Sequence, residues 1–181
     1  MGNQYFFHQK AYKCLIGQEE VDPIFKKLWK TCCQNKHKVS FWFLLKDRVS
    51  TRNILRRRNM VLQNYNCALC SQVEETSVHL FLKCDFAVEC WAKLGFFYNQ
   101  HEDIFSFFRH LRLHLNVPFF LEVSILMCWA IWICRNDKFF KGLHPSPEMC
   151  WNIFKKELAL LMHRAHSTLI PSLQQWTALL Q

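Results

Sequence analysis

Four residues constrain this chain more than any others: Cys67, Cys70, His79 and Cys84, in the pattern Cys-x2-Cys-x8-His-x4-Cys. A Cys-x-x-Cys turn aims two sulfurs at one point. A second pair arriving from elsewhere completes the tetrahedron that Zn²⁺ takes from thiolates and imidazoles. Closing the short loop between the pairs costs little entropy. That loop, Ser71 to Ser77, is polar and carries carboxylates, whereas Leu80, Phe81 and Leu82 are apolar and placed to cover one side of a metal. Four protein donors leave no position open for water or substrate, so one structural Zn²⁺ is expected rather than a catalytic one. With ten Cys and nine His in the chain, a chance coincidence of spacing is the competing explanation. A redox role for Cys67-x-x-Cys70 is another, and His79 with Cys84 argues for the metal. Cys90 is a substitute ligand by position, but its place in a helix leading to Trp91 suits a core residue better.

The other cysteines bear on compartment. In a secreted chain ten would suggest a disulfide framework. The start "MGNQYFFHQKAYKC" has no charged segment followed by an apolar run and a small-residue cleavage site, and Phe6 breaks the myristoylation pattern. A reducing intracellular compartment is therefore expected, nucleus or cytoplasm, with the mitochondrion left open and most cysteines acting as small core residues. The apolar run from Val117 to Cys134 is interrupted by Pro118 and Glu122, which favours a buried helix over a membrane span.

The chain has 181 residues, 51% of them hydrophobic, and only four Gly and five Pro. This favours a mainly α fold: a small zinc-stabilised helical domain, with a short β-hairpin expected at the Cys-x-x-Cys turn, followed by C-terminal helices. Asp22 and Pro23 mark a helix start, with Ile24, Phe25, Leu28 and Trp29 on one face. Ser40 is expected to cap a helix through "FWFLLKD", and Ser50 a second with Ile54 and Leu55 at helical spacing. "ETSVHLFLKC" reads as a capped helix start, and "DFAVECWAKLG" as a helix ending near Gly95. "NQHED" is a linker, and "IFSFFRHLRLHL" is an amphipathic helix broken by Asn116-Val117-Pro118. Two further helices are expected, one from Phe120 to Phe140 ahead of Gly142, the other from about Ser146 to Ser167. The domain boundary is placed at 95/96, giving domains 1–95 and 96–181.

"VSFWFLLKDRVSTRNILRRRNMV" followed by "NCALCSQVEETSVHLFLKCDFAVECW" resembles the zinc-binding domain of plant LINE-type (non-LTR) retrotransposon reverse transcriptases. The matching elements are the apolar run Phe41 to Leu45, Asp47-Arg48, Thr51-Arg52 and the basic Arg56 to Arg58. Cys67, Cys70, Glu75, His79 to Phe81, Cys84 and Trp91 complete the pattern. The likeness covers roughly Tyr5 to Trp91. Ser50 and Asn59 stand where the family often has Pro and Gly, both loop details. "CWAIWICRNDKFF" resembles the helix that in such elements leads toward a ribonuclease H domain. The resemblance implies a zinc site and a connector role. There is no Tyr-x-Asp-Asp polymerase motif, Gly-rich loop or nucleophile elbow, so no enzymatic activity is expected.

Net charge is +9, and between Lys36 and Arg58 eight Lys/Arg stand against one Asp. Lys46, Arg48, Arg52, Arg56, Arg57 and Arg58 are the candidate nucleic-acid contacts, giving salt-dependent, sequence-tolerant binding to RNA or DNA phosphates. The bland alternative is a solvated basic face whose Arg stems cover apolar surface. Of Phe41, Trp42 and Phe43, at least two are expected in the core. His110/His114 and His163/His166 read as surface pairs. A second functional expectation is a co-opted interaction factor, regulatory or toxic, whose exposed aromatic and apolar helices bind a host protein, in an organelle for example.

Overall fold

The structure, a computed structural model, describes residues 22–98 and 103–180. The aromatics Tyr5, Phe6, Phe7 and Tyr12 and most of the "NQHED" linker lie outside these residues. The chain divides into two compact units, Met1–Lys30 and Thr31–Gln181. Of the first, α1 (Pro23–Leu28) is described. Asp22 caps it through Ile24 N–H at 2.9 Å, and Pro23 occupies the first turn, as expected. Leu28 is buried, but Trp29 stays exposed.

The second unit is built around one long helix, α6 (Phe120–Lys141). Its sequence is apolar on nearly every side over Leu121–Cys134, so it is buried rather than lodged at a surface. Ser124 satisfies its hydroxyl by donating to Phe120 O at 2.7 Å. No described helix is long and apolar enough to cross a membrane. Against α6 pack α2 (Asn35–Leu45), α4 (Asp85–Ala92), α5 (Ile104–Leu115) and α7 (Pro147–Met162). Aromatic rings fill the space between them. Trp91 meets Phe107 edge-on at 5.1 Å and Phe41 meets Phe108 at 5.0 Å. The buried indole of Trp91 donates to Phe81 O at 2.8 Å, so its polar edge is not stranded. Cys90 is a core residue, buried like Cys134 and Cys150.

Several termini follow their sequence signals. Asn116 and Gly142 take left-handed conformations where α5 and α6 stop, and Ser146 accepts Met149 N–H at the start of α7. Others do not. α2 begins at Asn35, not after Ser40, because a helix can start without a side-chain cap when its apolar face is buried. Gln34 makes no capping bond, while His37, Phe41, Leu44 and Leu45 are inside. Only Phe41 of the aromatic triplet is fully buried; Trp42 is half-buried and Phe43 is 39% exposed. α3 (Arg52–Arg57) starts after Thr51 rather than Ser50. α7 ends at Met162, and a further helix, α8 (Ile170–Ala178), follows. Phe119 holds α8 through an edge-on contact with Trp176 at 5.6 Å, and Leu173 is fully buried.

The expected β-hairpin is absent among the described residues. A single antiparallel bridge joins Asn66 and Glu74. Cys67 N–H donates to Val73 O and Glu75 N–H to Tyr65 O, as in a ladder. The Glu75 carbonyl, which a continuing ladder would pair with Tyr65, accepts instead from Asn53 N–H at 3.1 Å. α3 has taken the acceptor that a longer hairpin needs.

Candidate metal centre

The Cys67-Ala-Leu-Cys70 turn closes through Ser71 N–H donating to Cys67 O at 2.8 Å, with Ser71 left-handed at φ 62°. This places Cys67 and Cys70 on one side of a tight knuckle. The second pair arrives by a different device. Thr76 Oγ1 accepts His79 N–H at 3.1 Å and opens a helical turn. From His79 to Lys83 that turn is π-helical, and Cys84 N–H donates to His79 O at 2.7 Å. In an α-helix, residues five apart point about 140° away from each other at about 100° per residue. The wider π-turn brings positions i and i+5 nearly back into line. His79 and Cys84 therefore face the same point. Cys84, extended at ψ 133°, then starts α4.

All four donor atoms lie within 4.8 Å of one another. Cys67 Sγ and Cys84 Sγ are 3.9 Å apart, and Cys70 Sγ and His79 Nε2 are 3.3 Å apart. A tetrahedral zinc with Zn–S near ~2.3 Å and Zn–N near ~2.0 Å requires edges of about 3.8 Å between sulfurs and about 3.5 Å from sulfur to nitrogen. The donor set fits. The Cys84 thiol bonded to Cys67 pulls the Cys67 thiol down to about 4, helped by His79 and by the amides of Cys70 and Leu69. The same bond pushes Cys84 up. A divalent cation held between the two sulfurs would supply the positive charge that favours both as thiolates. Leu80, Phe81 and Leu82, between His79 and Cys84, are buried.

A carboxylate of the motif, Glu75, organises the surroundings. Glu75 is fully buried. Its Oε1 accepts Arg52 N–H at 3.0 Å, which caps α3 from 23 residues away, and its Oε2 accepts Ala68 N–H inside the knuckle at 2.9 Å. Arg135 of α6 donates Nε and Nη2 to the same Oε1, at 3.0 and 2.6 Å. The Arg135 guanidinium lies over Phe139 at 4.4 Å and Trp132 at 5.0 Å. Lys138 Nζ adds a bond to Leu69 O at 2.9 Å. The sequence carries little signal for this pair: Arg135 stands just after the apolar run, beside Asn136, Asp137 and Lys138, where a solvated charge is the ordinary expectation.

The six basic candidates separate. Arg52 is structural: Nη1 donates to Asn64 Oδ1 and Asn66 O, and its guanidinium lies over Phe139 at 5.0 Å. Arg56 pairs with Glu74 at 2.6 Å. Lys46, Arg48, Arg57 and Arg58 are exposed and converge on one open cleft of about 410 Å³, where Arg57 lies 3.7 Å from Asp47. His110, His114, His163 and His166 are all exposed.

A three-cysteine, one-histidine cluster on a helical frame, with Cys67 and Cys84 buried and Cys70 and His79 half-buried, defines the class: a small domain organised around a closed metal-ligand cluster. Residues 6–91 match the family described as zinc-binding in reverse transcriptase. This segment is a zinc-binding domain of the reverse-transcriptase type, an accessory module and not the catalytic polymerase fold. Neither the curated proteins nor the solved structures give a significant match.

Proposed function

We propose that Cys67, Cys70, His79 and Cys84 hold one structural zinc, and that the module it stabilises binds the phosphate backbone of RNA or DNA. The observation that carries the binding role is the convergence of Lys46, Arg48, Arg57 and Arg58 on one cleft, with Asp47 the lone carboxylate lining it among the described residues. Lys46 caps the end of α2, Arg48 lies in the turn that follows, and Arg57 and Arg58 end α3, while Leu44 and Leu45 of α2 and Ile54 of α3 are committed to the core. What remains outward is charge, on a backbone fixed well enough to meet phosphates. The motif likeness supports descent from a plant LINE-type element and a place beside nucleic acid in the nucleus or cytoplasm. The host-protein reading stands second. Phe97, Phe140 and Leu179 are strongly exposed and come from well-separated parts of the sequence.

The test is the salt dependence of oligonucleotide binding. The wild type is expected to lose affinity linearly in log–log form as salt rises, at about 0.7–0.9 per phosphate contact. Lys46→Ala/Arg48→Ala/Arg58→Ala should reduce that slope by about three contacts' worth, with little change in sequence preference. Arg56→Ala, which removes a residue already paired with Glu74, should change it much less. Unchanged affinity and slope in the triple variant would exclude the cleft. A pull-down from cell extract that survives nuclease would favour the protein partner.

A further inference from the structure

Beside the basic cleft lies a second and larger one, of about 550 Å³, between α2 and α6. Helical spacing builds both walls. Lys36, Val39 and Phe43 fall along one stripe of α2, and Trp129 and Trp132 along one stripe of α6. Val39 and Phe43 are 40% and 39% exposed, and both indoles are half-buried. Neighbouring rings and cations fix both indoles. Trp129 contacts His37 at 4.9 Å between ring centroids, and Trp132 stacks on Phe81 at 6.4 Å and carries Arg135 at 5.0 Å. The rim is cationic: Lys36, Arg48 and Arg58 line it, and no carboxylate does among the described residues. Lys36 is 5.4 Å from the Trp129 centroid and 3.9 Å from Glu157. Arg48 and Arg58 line both clefts, so the two are continuous.

From this geometry we infer that the α2–α6 cleft receives unpaired bases of a single-stranded nucleic acid whose phosphates lie along the adjoining basic cleft. The inference rests on the phosphate-binding reading above and names its substrate class. Aromatic faces beside a cationic track suit single strands, because every base offers a π-face while a duplex keeps its faces stacked inside. The volume suits one or two nucleotides. Asn35 and Ser40 supply polar groups for base edges without a fixed donor–acceptor code. The rim charge disfavours a plain apolar helix as occupant, since Arg48 and Arg58 would lose hydration without gaining a partner. Binding is therefore expected to tolerate sequence, with pyrimidine and purine strands differing only modestly.

The experiment uses the full chain and three labelled probes of equal length, about twelve nucleotides, the site size common for such platforms. They are a single strand, the same strand made abasic throughout, and the duplex. The single strand should bind about tenfold or more tighter than the abasic strand, the worth of one stacked base. Phe43→Ala and Trp129→Ala, each checked for retained metal and helicity, should bring that ratio close to one. Equal binding of all three probes by the wild type would overturn the inference and leave the phosphate reading standing. Failure of every probe to bind would overturn both. Displacement of the single strand by an acidic amphipathic peptide, with the base preference kept in both variants, would assign the cleft to a protein and overturn the inference too. The abasic comparison needs no variant, so a folding defect in Trp129→Ala leaves the test intact.

Discussion

Purified protein is expected to carry one zinc per chain, and stripping it with a strong chelator is expected to unfold the region around residues 31–98. The four donors come from two segments: a knuckle with one antiparallel bridge, tied to its surroundings through Glu75 and Lys138, and a five-residue π-turn that a metal would join to it directly. In such small sites the metal's binding free energy is folding free energy, of order 10–16 kcal/mol for zinc-finger peptides near neutral pH. That is as large as the whole stability of an ordinary domain, about 5–15 kcal/mol. Cys67→Ser/Cys70→Ser should lose the metal and the near-ultraviolet signal of Trp91 and Trp132 together. Cys90→Ser should keep both, since Cys90 sits among core residues away from the cluster. Acid should release the metal as the thiolates take up protons. A chelated, metal-free protein that kept its full near-ultraviolet signal would refute a structural metal.

Breaking the Glu75–Arg135 pair is expected to have the next largest effect. Both side chains are almost completely buried, at 0% and 1% exposure. Such a pair adds little over a well-packed apolar substitute, but removing one partner strands the other, typically at about 3–5 kcal/mol. The two halves are not equivalent. Glu75→Leu leaves the Arg135 guanidinium unpaired and also orphans the amides of Arg52 and Ala68. Arg135→Met leaves a carboxylate that still accepts those two amides. Glu75→Leu should therefore lower the denaturation midpoint of zinc-loaded protein more than Arg135→Met. The double variant should do less harm than the two single effects added. A loss under about 1 kcal/mol for Glu75→Leu would mean that water reaches the pair, contrary to its burial.

Local signals were legible in the sequence where the chemistry was local. Asp22 with Pro23, Ser146, Asn116 and Gly142 mark ends that the structure places within a residue or so. The ligand spacing was equally legible, because geometry around a metal restricts which residue types can converge. What remained hidden depends on distant partners. Gln34 gives no capping signal for α2, whose start is decided by what Phe41 and Leu44 bury. Nothing near Thr51 reveals that its helix is capped by Glu75, or that the same carboxylate takes Arg135 from α6. The basic stretch illustrates the same limit. Counting charges treats Arg52, Arg56 and Arg58 alike, whereas Asn66, Glu74 and open solvent give them three different roles. Pro171, in the first turn of α8, is a local helix-start signal of the same kind.

The π-turn between His79 and Cys84 also changes what a ligand spacing means. On an ordinary α-turn, residues four apart share a face; on a π-turn, residues five apart do. A one-residue insertion or deletion between two such ligands can thus be absorbed as a change of helix type while the same pair stays aimed at the same point. In evolutionary terms the stretch is a slip joint. Relatives with three residues between this His and Cys would be expected to keep the site on plain α-helix. A pattern search that fixes the gap at four would pass over them.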